Sequence, residues 1–241
     1  VYELTTLDGR KCECGLEHLW TVRTPKQVNK YRSHNKELGW TMTLQTKDLI
    51  DGLEQGKKYF IPNNKAIEFG EKELPIPPYV LGVMLGDGCL TIWRNEKGFK
   101  ISNTEWDIIN KVAKLTDTTR VYEQPSCVTK LFYTPHYKEY KEYLREKSLL
   151  DYSYNKFIPE DYLFASIKQR KELLAGLFDT DGNVEPYDNS YSFCTTSERL
   201  KDTFIELCRR LGYSGTVSID GREWKYTKGV AYKIVIRTDD I

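Results

Sequence analysis

The sequence has almost no net charge, no long apolar run and no Cys-x-x-Cys pair of the kind that binds metals. Its 36 basic and 35 acidic residues leave +1, so any nucleic-acid surface must be a local patch. No apolar run approaches the ~18 residues of a membrane span, and we expect no membrane association. The N-terminus resembles no signal peptide, which predicts a protein that is not secreted. The six cysteines form no Cys-x-x-Cys pair, which favours a reduced cytoplasmic chain.

Hydrophobic patterning divides the 241 residues into three stretches. Residues 1–75 predict strands and turns with few helices. Three prolines in residues 73–78 interrupt regular structure and favour a new helix start. Residues 76–150 and residues 151–241, the latter beginning with a linker at 151–165, then share one predicted order, helix–strand–strand–helix–strand–strand. The sequence therefore predicts an α+β fold, with two pseudo-symmetric αββαββ halves behind a small β-rich module.

The first helix of each predicted half ends at an aspartate followed by glycine. Residues 80–88 read VLGVMLGDG and residues 174–182 read LAGLFDTDG, and the two Asp-Gly pairs lie 94 residues apart. Gly82 and Gly176 occupy matching positions inside these helices, where glycine costs ~1 kcal/mol relative to alanine. That cost is explained if the two helix backbones pack closely against one another. We therefore expect a central two-helix interface.

Asp87 and Asp181 are unfavourably placed at the negative ends of their helices, by ~0.3–1 kcal/mol each. Side-by-side packing would also make the two carboxylates repel one another. A bridging divalent cation relieves both problems, and hard oxygen ligands favour Mg²⁺. Backbone carbonyls near Gly86 and Thr180 are further candidate ligands. The alternative is a metal-free globular repeat with two solvated Asp-Gly caps.

The helix pair resembles the signature of the LAGLIDADG homing endonucleases. Residues 174–182 match it closely, whereas the first copy departs from it at Leu81 and Leu85. The resemblance covers residues 76–237 and implies a single-chain, monomeric member with internal pseudo-two-fold symmetry. It also implies site-specific hydrolysis of both strands of a long duplex DNA target. Asp87 and Asp181 would hold Mg²⁺, for which Mn²⁺ can substitute, and the sheets would form a saddle over the DNA.

Two lysines and a set of strand residues complete the predicted site. The resemblance assigns catalytic roles near the scissile phosphate to Lys156, before the second motif, and to Lys233, in the final strand. A cation there would stabilise charge developing on the phosphate. Alternation along the strands determines which polar residues face DNA, and a one-residue register shift exchanges the faces. The candidates are Arg94, Lys97, Lys100, Ser102, Tyr122, Gln124, Lys130, Tyr133, Tyr187, Ser190, Ser192, Arg222, Lys225 and Lys228.

Residues 1–62 resemble the interior of a Hint-type intein splicing domain. The resembling stretches are residues 4–10, 14–21 and 49–62, and His18 would match the histidine that activates the N-terminal scissile bond. Val1 is not a splicing nucleophile, and the chain ends at Ile241 without a His-Asn pair. Splicing in cis requires both ends, so we expect none from this sequence. An intein-associated protein would reside with its host protein, in a prokaryotic or phage-infected cell.

Two other functions remain compatible with the sequence. LAGLIDADG folds also serve as catalytically inactive nucleic-acid-binding proteins, either maturases or regulators. An intein with a decayed endonuclease is the other alternative, and the looser first motif permits it. Retention of both Asp87 and Asp181 favours the active endonuclease.

Overall fold

The computed structural model describes residues 1–7, 9–28, 41–91, 98–123, 127–185, 190–220 and 230–237. Two compact units are present, residues 1–64 and residues 65–241. The predicted Arg94, Lys97, Gln124, Tyr187, Arg222, Lys225 and Lys228 contacts lie outside the described residues. No helix in the described part of the chain is long and apolar enough to cross a membrane.

The described part of the first unit contains two antiparallel strand pairs, a helical turn at residues 25–28 and a longer helix after the last strand. Its elements are β1 (Tyr2–Thr5), β2 (Lys11–Cys14), β3 (Leu19–Val22), β4 (Met42–Gln45) and α1 (Thr46–Glu54). Strand β1 pairs with β2, and β3 pairs with β4. Helix α1 was not among the predicted elements. It begins where the Asp48 carboxylate accepts the backbone N–H of Gln45, at 3.0 Å, as in a capping box.

The first half of the second unit has the predicted helix and strand order. Its elements are α2 (Pro78–Gly86), β5 (Gly88–Cys89), β6 (Phe99–Ser102), α3 (Trp106–Leu115), β7 (Arg120–Glu123), β8 (Thr129–Tyr133) and α4 (Tyr137–Glu146). The strands form an antiparallel sheet in the order β5-β6-β8-β7. Helix α2 is buried from Pro78 to Leu85, because it is apolar on every side.

The second half repeats this arrangement. A 3₁₀ turn at Ser153–Asn155 and α5 (Glu160–Leu163) precede α6 (Ile167–Asp181), β9 (Gly182–Glu185), β10 (Ser190–Thr195), α7 (Glu198–Arg210), β11 (Ser214–Asp220) and β12 (Ala231–Arg237). The sheet order is β11-β12-β10-β9, again antiparallel. The Ser166–Gln169 capping box opens α6 as predicted. This architecture confirms the predicted α+β fold class.

Aromatic pairs mark the core of each half. Phe99 of β6 stacks on Phe132 of β8, with ring centroids 5.1 Å apart. Phe193 of β10 stacks on Phe204 of α7 at 4.3 Å. All four rings are fully buried, so one face of each sheet is packed into the core. The opposite face is exposed at Tyr122 in the first sheet and at Cys194 in the second, and we call it the open face.

The segment before α2 is fastened to the second half. Its Ile67 N–H donates to the Arg210 carbonyl oxygen, at 2.8 Å. The fully buried Arg170 donates to the carbonyl oxygens of Ala165, Arg210 and Ile67. Residues 65–75, which the sequence assigned to the N-terminal module, therefore pack within the second unit.

Candidate active site

Helices α2 and α6 pack backbone against backbone. A Cβ atom added at Gly82 would overlap the Leu173 carbonyl oxygen and lie 2.9 Å from the Gly176 Cα. One added at Gly176 would overlap the Tyr79 carbonyl oxygen and lie 2.9 Å from the Val83 nitrogen. Any larger side chain at either position would separate the helices.

This contact brings the two aspartates together at one end of the helix pair. Asp87 is the C-terminal cap of α2, and Asp181 is the last residue of α6. A Cβ added at Gly86 would lie 3.3 Å from the Asp181 Oδ2 atom. The Asp181 carboxylate therefore lies beside the last turn of α2.

The two carboxylates experience each other's charge. Partial burial raises the pKa of Asp181 to about 6, with a further raising effect from the Asp87 carboxylate and an opposing effect from the Lys156 ammonium. Burial also raises the pKa of Asp87, against the lowering effects of Asn103 and Lys156. This concentration of negative charge in a partly buried position is the electrostatic condition that a divalent cation relieves.

The donor set fits a magnesium-type ion better than a closed protein cage. Among the described residues, no cluster of three or more His, Cys, Asp or Glu side chains is suited to holding a metal. Mg²⁺ usually binds one or two carboxylates, together with waters and substrate phosphates. Asp87 and Asp181 provide two carboxylates of this kind, and the candidate backbone ligands Gly86 and Thr180 directly precede them in the sequence.

Lys156 is directed into the end of α2. Its Nζ atom donates to the carbonyl oxygens of Met84 at 3.2 Å, Gly86 at 2.9 Å and Gly88 at 2.9 Å. These three bonds use every donor of the ammonium group, and the residue is only 4% exposed. Burial lowers the pKa of Lys156 to about 8, and attraction to Asp181 and Asp87 opposes that shift. In this arrangement Lys156 caps the helix end and has no N–H left for a phosphate.

Two hydrogen bonds hold the segment that supplies Lys156. The Ser197 hydroxyl, at the start of α7, donates to the Lys156 carbonyl oxygen at 2.6 Å. The Ile158 N–H donates to the Thr203 hydroxyl at 3.0 Å. The linker between the halves is therefore anchored to α7 while its lysine reaches α2.

Asn103 is a site residue that the sequence analysis missed. Its Nδ2 atom donates to the Asp87 Oδ2 atom at 2.6 Å. Asn103 follows strand β6, and no periodic pattern distinguishes such a residue from an ordinary loop asparagine. Its position directly after a strand is the only feature of the sequence that points to Asn103.

Lys233 lies on the open face of the second sheet. Its Nζ atom is 2.5 Å from the Glu185 Oε1 atom. This bond lowers the pKa of Glu185, with a second contribution from the Ser192 hydroxyl, and raises the pKa of Lys233. Ser190 and Ser192 share this face. Side chains alternate along β10, and Phe193, next to Ser192, points into the core. Both serines are nevertheless buried.

The strand register separates the DNA-facing candidates of the first half. Lys100, Ser102, Tyr122 and Tyr133 share the open face, since residues directly opposite across a ladder lie on one face. Lys130 lies opposite Ile101 on the helix-covered face. There its ammonium is 3.4 Å from the Glu123 carboxylate and lies over the Trp106 ring. The register thus removes Lys130 from the surface that the other candidates form.

One further residue joins the open face of the first half. Arg120 lies opposite Tyr133, and its guanidinium lies 5.8 Å from the centre of the Tyr122 ring. The alternation of β7 predicts that Arg120 and Tyr122 share a face, so the sequence contained this signal.

His18 belongs to the first unit and lies on its surface. Its ring contacts the edge of Trp20, with centroids 4.8 Å apart, and its carbonyl oxygen accepts the Thr46 N–H. Its assignment as a splicing-type histidine stays a prediction.

The flanks of the helix pair differ in polarity. On one flank the Tyr79 hydroxyl donates to the Asp179 carboxylate at 2.6 Å, and the Lys111 ammonium lies 3.5 Å from the Tyr79 ring centre. The positions related by the 94-residue repeat are Leu173 and Leu85, both buried and apolar. The two helices are therefore equivalent in backbone but not in side chains.

Comparison with known proteins finds similarity to one family model in the second half. A curated relative, the replicative DNA helicase DnaB of Mycobacterium intracellulare, is 27% identical over 254 residues, covering 99% of this chain and 39% of the relative. This chain therefore spans about two fifths of the relative's length. A structure of an I-DmoI variant with its target DNA and manganese has 12% identity and a TM-score of 0.42, covering 67% of this chain and 86% of that chain. Residues 168–241 match the family model described as a LAGLIDADG-like domain, and the Asp181 helix end lies within the matched residues.

Proposed function

We propose that this chain is a divalent-metal-dependent endonuclease that hydrolyses both strands of a specific duplex DNA site. The observation that supports this most directly is the pairing of Asp87 and Asp181 at one end of two helices whose backbones touch at Gly82 and Gly176. Two carboxylates so placed, next to sheets with open faces, suit metal-assisted phosphodiester hydrolysis.

Each part of the site has a defined task in this proposal. Asp87 and Asp181 would hold Mg²⁺ or Mn²⁺, and the bound ion would supply an activated water and stabilise charge on the phosphate. Lys156 keeps the end of α2 in place through its three carbonyl contacts. Lys233 contacts the DNA backbone by exchanging its Glu185 partner for a phosphate, since both are anionic acceptors.

The open sheet faces provide the DNA surface. Lys100 and Arg120 supply positive charge, while Ser102, Tyr122 and Tyr133 supply hydrogen-bonding groups for base edges or phosphates. Because the two sheets present different side chains, the two halves would read different sequences. The protein would act as a monomer, with each half of the chain serving one half of the target.

We also propose that the protein is associated with an intein. The splicing-domain resemblance of residues 1–62 supports this. So does an alignment that covers nearly all of this chain but only 39% of a replicative helicase, which is the pattern expected of a segment inserted in a host protein. An insertion-free helicase gene junction is therefore the first DNA target to test.

The decisive experiment is cleavage of that junction, and of a randomised duplex library, with Mg²⁺ or with EDTA. We expect discrete double-strand cuts that disappear with EDTA, with Asp87→Asn and with Asp181→Asn. Asp179→Asn is the matched control, because it removes one charge from the same helix but keeps an oxygen for Tyr79. Tight, salt-sensitive binding without cutting would instead support an inactive binding protein, and neither binding nor cutting at the junction would refute the proposal.

A further inference from the structure

Asp87 is held by main-chain and side-chain hydrogen bonds from a single dipeptide. The Ser102 N–H donates to the Asp87 carbonyl oxygen at 2.9 Å, and the Asn103 amide donates to the Asp87 carboxylate at 2.6 Å. The end of strand β6 therefore fixes both the backbone and the carboxylate orientation of this residue.

The orientation of the Asn103 amide is itself determined. Its Oδ1 atom accepts the backbone N–H of Glu105 at 2.7 Å, a turn geometry typical of asparagine. With the oxygen used in this way, the Nδ2 donor must point the other way, towards Asp87. The side chain thus has two separable functions: it shapes the turn before α3, and it orients a carboxylate.

The Asp181 end has no equivalent support in the described part of the chain. No side chain there donates a hydrogen bond to the Asp181 carboxylate, and no lysine donates to the last carbonyl oxygens of α6. Lys156 and Asn103 both act at the end of α2. One carboxylate is therefore pre-oriented and the other is not, although the two backbones are related by a repeat.

We propose that Asn103 is a positioning residue that orients Asp87 for metal binding, making the two acidic ends of the helix pair unequal. This inference rests on the proposed endonuclease function. Groups that orient a metal ligand typically change metal affinity or activity 10–100-fold when removed. The inequality predicts that the two DNA strands depend differently on Asn103.

Two substitutions separate the functions of this side chain. Asn103→Ser keeps an oxygen that accepts the Glu105 N–H but is too short to reach Asp87. Asn103→Ala removes both interactions. Asn110→Ala, on the exposed face of α3, is the matched control for the loss of an asparagine.

The first measurement is Mn²⁺ binding, which is monitored as the loss of the electron paramagnetic resonance signal of free Mn²⁺. We expect Asn103→Ser and Asn103→Ala each to weaken binding by about 10-fold or more, with Asn110→Ala unchanged. A purely structural function would instead leave Asn103→Ser like the wild type.

The second measurement is strand-resolved cleavage of a duplex labelled on each strand. We expect both Asn103 variants to slow cutting of one strand about 10–100-fold, with a smaller effect on the other, so that a nicked intermediate accumulates. Equal slowing of both strands, or Mn²⁺ binding by Asn103→Ser as tight as that of the wild type, would overturn the inference. If the wild-type protein still cuts the duplex, the proposed function stands. A wild-type protein that neither cuts nor binds Mn²⁺ would overturn both.

Discussion

The close helix contact makes Gly176→Ala an informative substitution. The new methyl would overlap the Tyr79 carbonyl oxygen and lie 2.9 Å from the Val83 nitrogen and 3.1 Å from the Gly82 Cα, whereas ordinary contact begins near 3.4 Å. All three are backbone atoms, so no side-chain rotation relieves the clash. The helices must separate locally, in an interior that is otherwise close-packed.

The expected magnitude follows from two opposing effects. Overpacking typically costs about 1–3 kcal/mol, and a clash with helix backbone belongs at the upper end. Alanine recovers about 1 kcal/mol relative to glycine in a helix interior. We expect Gly176→Ala to lower the free energy of unfolding by about 2 kcal/mol, as the balance of these effects. We also expect loss of cleavage, because the separation moves Asp87 away from Asp181.

Ala175→Gly is the matched control on the same helix. It should cost about 1 kcal/mol through helix propensity, with a small further loss because the Ala175 methyl is partly buried against the core, but without a clash and with cleavage retained. Urea denaturation followed by circular dichroism measures the stability of both variants, and plasmid cleavage measures their activity. A Gly176→Ala protein that was as stable as the wild type and cut normally would refute the reasoning from backbone contact.

Three further predictions test other parts of the structure. Lys156→Met should leave the salt dependence of DNA binding unchanged, because its ammonium is already bound to carbonyl oxygens. Lys100→Met should reduce the slope of log affinity against log salt by about 0.9. Because the folded-state pKa of Asp181 is raised to about 6 from 3.8, its contribution to stability is present at low pH and lost as pH rises through about 6. Thermal unfolding in EDTA across this range should therefore show the wild type losing stability relative to Asp181→Asn, and a constant difference would contradict the shift. Arg170→Met should cost about 3 kcal/mol in urea denaturation by leaving the Ala165 and Ile67 carbonyl groups without their partner, whereas Lys171→Met on the exposed side should change stability by less than about 0.5 kcal/mol.

The helix pair could be predicted from sequence because the residues that indicate it form a short motif, and that motif occurs once in each half. Glycines inside two apolar helices, each followed by Asp-Gly, are enough to indicate both the close contact and the paired acids. The Ser166–Gln169 capping box similarly located the start of α6. Signals of this kind reside within a few residues of one another, so a single sequence is enough to find them.

Other features of the site depend on tertiary contacts that leave no local pattern. Asn103 reaches Asp87 only because β6 lies beside the end of α2. The direction of the Lys156 side chain depends on how the linker is anchored to α7. The placement of Lys130 required the strand register, since moving by one residue exchanges the two faces of a sheet.

The unequal flanks of the central helix pair have a consequence for how copies of this chain recognise one another. If two copies of the chain instead paired through like helices, α2 against α2 and α6 against α6, Tyr79 would lie opposite Leu85 of the other copy. Asp179 would likewise lie opposite Leu173. The Tyr79–Asp179 hydrogen bond would be lost twice, and an unmade bond of a partly buried polar group costs on the order of 1–3 kcal/mol. The side chains along this interface therefore favour contact between α2 and α6 over contact between two copies of the same helix.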